Sequence, residues 1–347
     1  MAESKVYITL VNWNNYNDTV ECIASLTKLQ DPNFQILIVD NGSSNGSVEV
    51  FKDLMTGECK EQEYTDYLKE KIGDVDITVL NEDHTIQFEH KTSRESNPFQ
   101  HPVLVVNKLQ NAGFAGGQNA CFKYIMEQGD YSYAWMLNND TEVVPDSLST
   151  MVTEIESDEK IGMVGSVLIY HGEKEKIQTI GGGKFYPLLS ATKLQYKNMH
   201  ISELDNVTKE EAVEKLDFLM GASVLVRKEV LDEVGLIDEE YFVYVEEMDW
   251  MHRMKKEGWK LSVALDSKVF HKDSSSTKDI KEFYYYQLNK NHMIFLKKHY
   301  GMFYNVVSVV PAFLNTMRIT QKKKNLRYTI KGLYEGFTYK AKKKIVA

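Results

Sequence analysis

"FQILIVDNGSSNGSVEVFKDLM", Phe34 to Met55, decides the fold. Its first seven residues are an apolar run short enough for a strand buried on both faces. The polar turn Asp40-Asn41-Gly42-Ser43 follows, and "GSVEVFKDLM" reads as a helix. The same order stands upstream: "KVYITLVNW" is a β-rich apolar run, and "DTVECIASLTKL" places Val20, Ile23, Ala24 and Leu26 at helical spacing. A βαβα order implies parallel strands covered by helices. Ligands in such sheets bind beyond the carboxyl ends of the strands. The two strands end at Asn12 to Asn15 and at Asp40 to Ser43, so polar residues fall where a ligand is expected.

Working downstream, residues 57–102 interrupt the rhythm with a polar, charge-mixed segment, expected to be an insertion with a short helix and a strand. "VLVVNKL" resumes the sheet, "NAGFAGGQNACFKYIMEQG" reads as a glycine-rich turn leading into a helix, and "YSYAWMLNND" is another buried strand. A second region, from "IGMVGSVLIY" through "DFLMGASVLVRKEVLDEVG", adds strands around a glycine-rich turn at Gly181-Gly182-Gly183. No solenoid or propeller period is present. The expected class is α/β, a mostly parallel central sheet flanked by helices.

With 347 residues and 43% hydrophobic content the chain can bury a substantial core. Cys22, Cys59 and Cys121 are odd in number, widely spaced and without a Cys-x-x-Cys pattern, which indicates neither a disulfide framework nor a zinc site. A reducing, cytoplasmic setting is the simpler expectation, and "MAESKVYITLVNW" lacks the pattern of a secretory signal. The net charge of -9 conceals an asymmetry. From Lys281 to Ala347 fourteen Lys/Arg face two Glu, a net of +12, which leaves -21 for residues 1–280. The expected division is therefore an acidic body, 1–280, and a basic helical extension, 281–347. An acidic body argues against broad nucleic-acid binding.

Three polar sites lie at ends of the expected parallel strands: Asp40, the Asn111-Gly113-Gly116-Gly117 turn, and Asp140 in "LNNDTEVVPD". Each alone reads equally as a plain turn. Together in one crevice they suggest more, because glycines in a strand-to-helix turn let backbone N–H groups approach a phosphate. "NAGFAGG" is neither the dinucleotide fingerprint nor a Walker loop. A diphosphate would make sense of Asp140, since Mg2+ or Mn2+ binds through one or two carboxylates completed by phosphate oxygens. Further on, "DEEYFVYVEEMDWMHRMKKEGWKL" crowds Glu246, Glu247 and Asp249 at the start of a helix expected to bury Trp250, Met254 and Trp259. Acidic residues there favour the helix dipole in any case. As functional groups, adjacent carboxylates repel and raise at least one pKa toward a value useful to a general base. His271 in "VFHKDSSST" is a candidate second ligand, although a lone His in such a place also fits a structural role.

These segments, with "ITLVNWNN" and "ILIVDNGSSNGSVEV", resemble successive signatures of GT-A-fold family-2 glycosyltransferases, in particular the bacterial rhamnosyltransferase-like group, across roughly residues 5–300. The resemblance implies inverting transfer of a sugar from a nucleoside diphosphate, dTDP-rhamnose or a UDP-sugar, to a hydroxyl of a glycan or lipid-linked acceptor in surface polysaccharide synthesis. On that resemblance Asp40 would meet the pyrimidine base, framed by the backbone at Val11 and Asn12, and Asn111, Gly113 and Gly117 would form a donor-binding loop. Asn138-Asn139-Asp140 stands at the Asp-x-Asp position, with Asp140 as the ligand of Mn2+ or Mg2+. Here Asn138 replaces the usual first Asp, which leaves that residue's role open. Glu246-Glu247-x-Asp249 matches a motif usually written Glu-Asp-x-Asp, whose second residue is generally the base; Glu247 is one methylene longer. His271 matches a His near the metal or diphosphate.

The extension mixes aromatics, aliphatics and cations. Its uncharged stretch from Tyr300 to Met317 is a poor match for a spanning helix. An amphipathic element on an anionic membrane, flanked by Lys322 to Lys324 and Lys342 to Lys344, fits the composition. A packing helix or a homodimer interface fits it too. Membrane contact would make the protein peripheral on the inner face of the plasma membrane. The competing functional classes are a nucleotidyltransferase, which "VNWNNYND" disfavours by lacking Lys and Arg, and a non-catalytic carbohydrate-binding protein, which intact Asp140 and Glu247 disfavour.

Overall fold

A computed structural model describes residues 5–30, 33–56, 75–92, 101–272, 281–319 and 323–340. β1 (Val6–Asn12), α1 (Tyr16–Leu26), β2 (Phe34–Asn41) and α2 (Ser47–Met55) form as the alternation predicts. Every residue of β2 is buried, which is why Ile36 to Val39 is a continuous apolar run instead of an alternating one. Within the expected insertion, residues 57–74 and 93–100, and with them the expected short helix, lie outside the described residues. The expected strand is a pair, β3 (Ile77–Leu80) and β4 (Ile86–His90), added to the edge of the main sheet. β5 (Val103–Lys108), α3 (Gly113–Gln128) and β6 (Tyr133–Leu137) complete the first half.

The second half runs β7 (Thr141–Val143), α4 (Ser147–Glu156), β8 (Ile161–Tyr170), β9 (Ile177–Ile180), β10 (Gly182–Tyr186), β11 (Ala191–Leu194), α5 (Lys209–Glu214), β12 (Phe218–Leu219), β13 (Ser223–Arg227) and α6 (Lys228–Val234). α7 (Glu246–Lys256), β14 (Lys260–His271), α8 (Lys281–His299), α9 (Met302–Val307), α10 (Val309–Ile319) and α11 (Lys323–Thr338) follow. The main sheet has the order β4-β3-β5-β2-β1-β6-β13-β8-β14-β7, with β9 beside β8; β11-β10-β12 form a small second sheet. β3, β5, β2, β1 and β6 are a contiguous parallel block, and β13 enters antiparallel between β6 and β8. The expected mostly parallel α/β sheet is thus carried by the first half.

Two apolar layers cover the sheet. One gathers Ile23, Phe51, Met151 and Trp135; the other gathers Phe122, Trp250 and Phe295. Each such side chain taken fully from water contributes about 1.5–3 kcal/mol. Local expectations need three corrections. Gly116 and Gly117 lie inside α3, not in a turn before it. Gly182 and Gly183 belong to β10, which leaves Gly181 as the turn residue. Trp259 lies beyond α7 and is only half-buried, because the helix ends at Lys256.

The basic extension continues the core. Met293, Ile294, Phe295 and Leu296 of α8 are buried in the layer that holds Trp250, and α11 packs along α8. Lys297 Nζ donates to the carbonyls of Phe337 (3.0 Å) and Tyr339 (2.6 Å). Lys298 Nζ bridges Asp238 (2.6 Å) and Glu240 (3.1 Å), so the acidic body answers part of the tail's charge. The uncharged stretch breaks at Ser308 into α9 and α10. Among the described residues no helix is long and apolar enough to cross a membrane. Lys322 and Lys342 to Lys344 lie outside them.

Candidate active site

Parallel register sets Asn12 beside Asp40 and Asp40 beside Asn107, so the loops after β1, β2, β5 and β6 emerge at one edge. A cavity of about 210 Å³ opens there. Val11, Trp13, Asn41, Asn111 and Gly113 form one part of its wall; Asn138, Asn139, Asp140 and His271 form another. Asp40 and Asn12 stand behind that wall, buried. Asp40 Oδ1 accepts from Asn12 Nδ2 (2.7 Å) and Ser43 Oγ (2.7 Å), and Oδ2 accepts from the Ser43 N–H (3.0 Å). Asn12 Oδ1 accepts from Thr19 Oγ1 (2.9 Å), which in turn accepts from Asn139 Nδ2 (2.9 Å). A polar chain therefore joins the turn after β2 to the Asn138-Asn139-Asp140 turn, through Thr19 and Ser43, two residues that the motifs did not single out.

Asn41 holds the next loop. Its Nδ2 donates to the Gly113 carbonyl (2.9 Å) and to Asn111 Oδ1 (3.2 Å), and its Oδ1 accepts from the Ala112 N–H (3.1 Å). Gly113 has φ +75°, and a Cβ there would lie 2.3 Å from the Phe242 carbonyl oxygen. The turn can be made only without a side chain. Gly117 acts differently: a Cβ on it would lie 2.6 Å from Val11 Cγ1, so it lets α3 pack against β1. It is a residue of helix–strand contact, one turn inside α3.

Asp140 meets His271 because of a three-residue strand. β7 follows the Asn-Asn-Asp turn directly and pairs with the end of β14, placing His271 opposite Thr141; the Lys272 N–H donates to the Asp140 carbonyl (3.0 Å). Asp140 and His271 are both nearly fully buried, with His271 Nε2 3.3 Å from Asp140 Oδ1. His271 Nδ1 lies 2.9 Å from Gln178 Oε1, an acceptor, so Nδ1 carries the hydrogen. In the neutral ring, Nε2 then presents a lone pair toward Asp140, with Asn138 Nδ2 3.4 Å away. Two facing lone-pair atoms, one on a carboxylate, are what a cation between them would satisfy. Gln178, on β9, thus orients the His271 ring, and no motif announced it. Among the described residues no group of three or more His, Cys, Asp and Glu is arranged to hold a metal, so this pair would need substrate oxygens or water to complete a coordination shell.

The second acidic site is built on strain. Phe242 (φ +63°), Tyr244 (φ +69°) and Val245 (φ +78°) all have left-handed backbone immediately before α7. For a β-branched residue such as Val this is an outlier that the surroundings must enforce. The turn delivers Glu246 and Glu247 to the helix start. Oε2 of each is buried without a hydrogen-bond partner among the described residues. Burial, then the charge of Glu247, pushes the Glu246 carboxyl well above the usual range. Burial also raises Glu247, against the opposing pull of backbone hydrogen bonds. Glu247 packs beside Gly221, and the neighbouring Ala222 carbonyl accepts the Asn138 N–H (2.9 Å), which ties this site to the Asp140 turn. Asp249 is different in kind. Burial would raise its pKa, but His299 Nε2 (2.6 Å) and Arg253 Nε (2.9 Å) hold it well below the usual range, and Tyr241 OH donates to it as well (2.9 Å). Its carboxylate is consumed by structure.

A parallel β/α half, an acidic residue in the turn after β6 and a crevice across the strand ends define a GT-A fold. Residues 7–67 and 65–235, well over half the chain, match the model of glycosyl transferase family 2, and the chain belongs to that family. It is 19% identical over 331 residues to dTDP-rhamnosyl transferase RfbF of Shigella flexneri, covering 93% of this chain and 90% of that one. It is 23% identical over 186 residues to the N-acetylglucosaminyl-diphospho-decaprenol L-rhamnosyltransferase of Mycobacterium tuberculosis, covering 48% of this chain and 58% of the other. Among solved structures, GalNAc-T7 with UDP, GalNAc and Mn2+ superposes with a TM-score of 0.58 at 14% identity, over 97% of this chain and 55% of that one. The fold is shared with that enzyme.

Proposed function

We propose that this glycosyltransferase moves rhamnose from dTDP-rhamnose, or a sugar from a UDP donor, onto a hydroxyl of a glycan or lipid-linked acceptor with inversion at the anomeric carbon. The observation that carries the reading is the facing pair Asp140 Oδ1 and His271 Nε2 at the cavity wall. The rhamnosyltransferase relatives support the choice of donor. The two side chains fit Mn2+ or Mg2+, whose bound charge would offset the negative charge that builds on the departing diphosphate. Val11, Asn41, Asn111 and the Gly113 turn form the donor side. Glu247 accepts the acceptor's hydroxyl proton while the oxygen forms its bond to the anomeric carbon and the bond to the diphosphate breaks, the electron pair leaving with the diphosphate. Glu246, the more deeply buried of the pair, stays protonated, since two adjacent buried carboxyls, each with one unpartnered oxygen, cannot both ionise at ordinary cost.

The extension supplies the acceptor side of the proposal. Phe303, Val306, Val310 and Leu314 are exposed, and an apolar groove of about 460 Å³ runs between α10 and α11. With Arg327 and Lys331 exposed nearby in sequence, this face suits an anionic membrane carrying a lipid-linked acceptor, with the protein peripheral on the cytoplasmic side. The test is thermal stabilisation by dTDP-rhamnose and a panel of UDP-sugars, each with Mn2+ or with EDTA. The expected result is a rise in melting temperature that needs both donor and metal. Stabilisation indifferent to EDTA would remove the metal, and no response to any donor would remove the donor assignment.

A further inference from the structure

The strained turn before α7 does not stand by itself. Asn291, in the middle of α8 and fully buried, points its side-chain amide into it: Nδ2 donates to the carbonyls of Tyr241 (2.7 Å), Val243 (2.9 Å) and Tyr244 (2.8 Å). Two N–H bonds are shared among three oxygens, and those oxygens belong to the peptides on either side of the left-handed residues. Left without a donor, each buried carbonyl would destabilise this backbone, and the chain would escape by rotating out of positive φ. Around the fork, α8 holds the same segment at both ends. Lys298 bridges Asp238 and Glu240 before the turn, and His299 binds Asp249 after it. Phe283 and Tyr284, at the start of α8, meet Phe242 and Tyr244 edge-on, with ring centroids 6.2 and 5.1 Å apart.

We infer that Asn291 is a positioning residue for catalysis: its amide fixes the backbone of Tyr241 to Val245, and so the direction in which Glu246 and Glu247 leave the helix start. The inference rests on the reading of Glu247 as the base. Asn291 touches neither reacting carboxylate; it meets the cavity wall from behind, at the carbonyls of Val243 and Tyr244, and acts through the turn. Displacing a catalytic group by about 1 Å costs on the order of 100-fold in rate. The loss should fall mainly on kcat, because Val11, Asn41, Asn111 and Asp140, on the loops after β1, β2, β5 and β6, keep their own supports, while the turn supplies Phe242, Val243 and Tyr244 to the same cavity.

The experiment compares full-length wild type with Asn291→Ala, Asn291→Ser, Lys298→Gln and Glu247→Gln. Hydrogen exchange over residues 241–247 is followed without ligand, and release of dTDP from dTDP-rhamnose is followed with Mn2+. Asn291→Ala should exchange faster over 241–247 than over β1 and β2, with kcat lowered about 10- to 100-fold and KM for the donor within about threefold. Asn291→Ser keeps one donor and should recover part of both changes. Lys298→Gln releases the acids before the turn, Asp238 and Glu240, and should leave exchange over 243–247 near wild type, because the Asn291 fork remains. If Asn291→Ala does not fold, the Ser variant alone decides, by whether exchange in the turn and kcat change together. Wild-type exchange in the turn with either Asn291 variant, or equal acceleration by Lys298→Gln, overturns the positioning role. Wild-type kcat in Glu247→Gln instead overturns the underlying assignment of the base, and the exchange data judge Asn291 independently of it.

Discussion

The two acidic sites of this enzyme are made in opposite ways. Asp140 stands in the turn between β6 and β7, its carbonyl accepting the Lys272 N–H beside ordinary sheet pairing and its carboxylate facing His271, which Gln178 orients in turn. Glu246 and Glu247 stand after three left-handed residues and keep unpartnered oxygens in a buried place. The proposed ligand, Asp140, has a fixed direction and a companion; the proposed base, Glu247, has a proton affinity raised by burial. The contrast teaches that neighbouring carboxylates are assigned their work by what surrounds them. Asp249, two residues from Glu247, is neutralised by Arg253 and His299 and belongs with the scaffold.

The sharpest way to break this contrast is at Asp140. Asp140→Ala should lower turnover about 1000-fold and abolish the dependence of donor binding on Mn2+, measured by calorimetry with and without EDTA. Retained turnover in EDTA would place the two sites on the same footing. Next, Glu247→Gln should lower kcat about 100-fold with little change in donor affinity. If Glu246→Gln shows that loss and Glu247→Gln is near wild type, the roles within the pair are reversed. The pair also predicts a pH dependence. A base must be ionised, so kcat should rise with pH through a value above the ordinary glutamate range, and Glu246→Gln, which exchanges one neutral neighbour for another, should leave that limb near its wild-type position. For stability the sign is opposite. Folded protein holds protons that unfolded chain releases, so the pair's contribution is full below the unfolded carboxylate pKa and is lost as pH rises through the raised folded values. Urea titrations of wild type and Glu246→Gln between acid and neutral pH would show it.

Asp249→Asn should separate scaffold from chemistry: it leaves Arg253 and His299 without their charge partner and should cost about 3–5 kcal/mol in chemical denaturation. A large kcat loss with full stability would return Asp249 to the catalytic group. The smallest expected effect concerns the extension. Phe303→Ser with Val310→Ser should weaken binding to vesicles of anionic lipid about tenfold and leave donor binding unchanged. A truncation near Lys298 is a poorer probe, because it would strip α11 from α8 and uncover Met293 and Leu296. Loss of a stable dimer in the double variant, with vesicle binding untouched, would make this face a subunit contact.

How much of this was legible follows the same division. Strands β1, β2 and β6 are buried on both faces, so their sequences are unbroken apolar runs, and the polar residues after them mark the crevice without ambiguity. Asp140 and His271 could each be named, but their meeting depends on a three-residue strand that leaves no periodic trace. Gln178 and Thr19 work through hydrogen bonds between segments far apart in sequence. The turn at 242–245 was illegible for a stronger reason: Phe, Tyr and Val are among the residues least suited to left-handed backbone, so local preference points away from the structure formed. In the tail, the apolar face of α9 and α10 was visible as composition. The burial of α8 was not, since its charges suggested solvent and its partners are the distant acids Asp238, Glu240 and Asp249.

The fork made by Asn291 also has a bearing on birth order. Chains grow at about 5–20 residues per second, so Asn291 follows Asp140 out of the ribosome by roughly 10–30 s. Strands β1, β2, β5 and β6 are therefore delivered first, and the turn holding the two glutamates is fastened only once α8 has followed it. The order of synthesis thus separates the making of this turn from its fastening, since the left-handed residues emerge before the amide that holds their carbonyls.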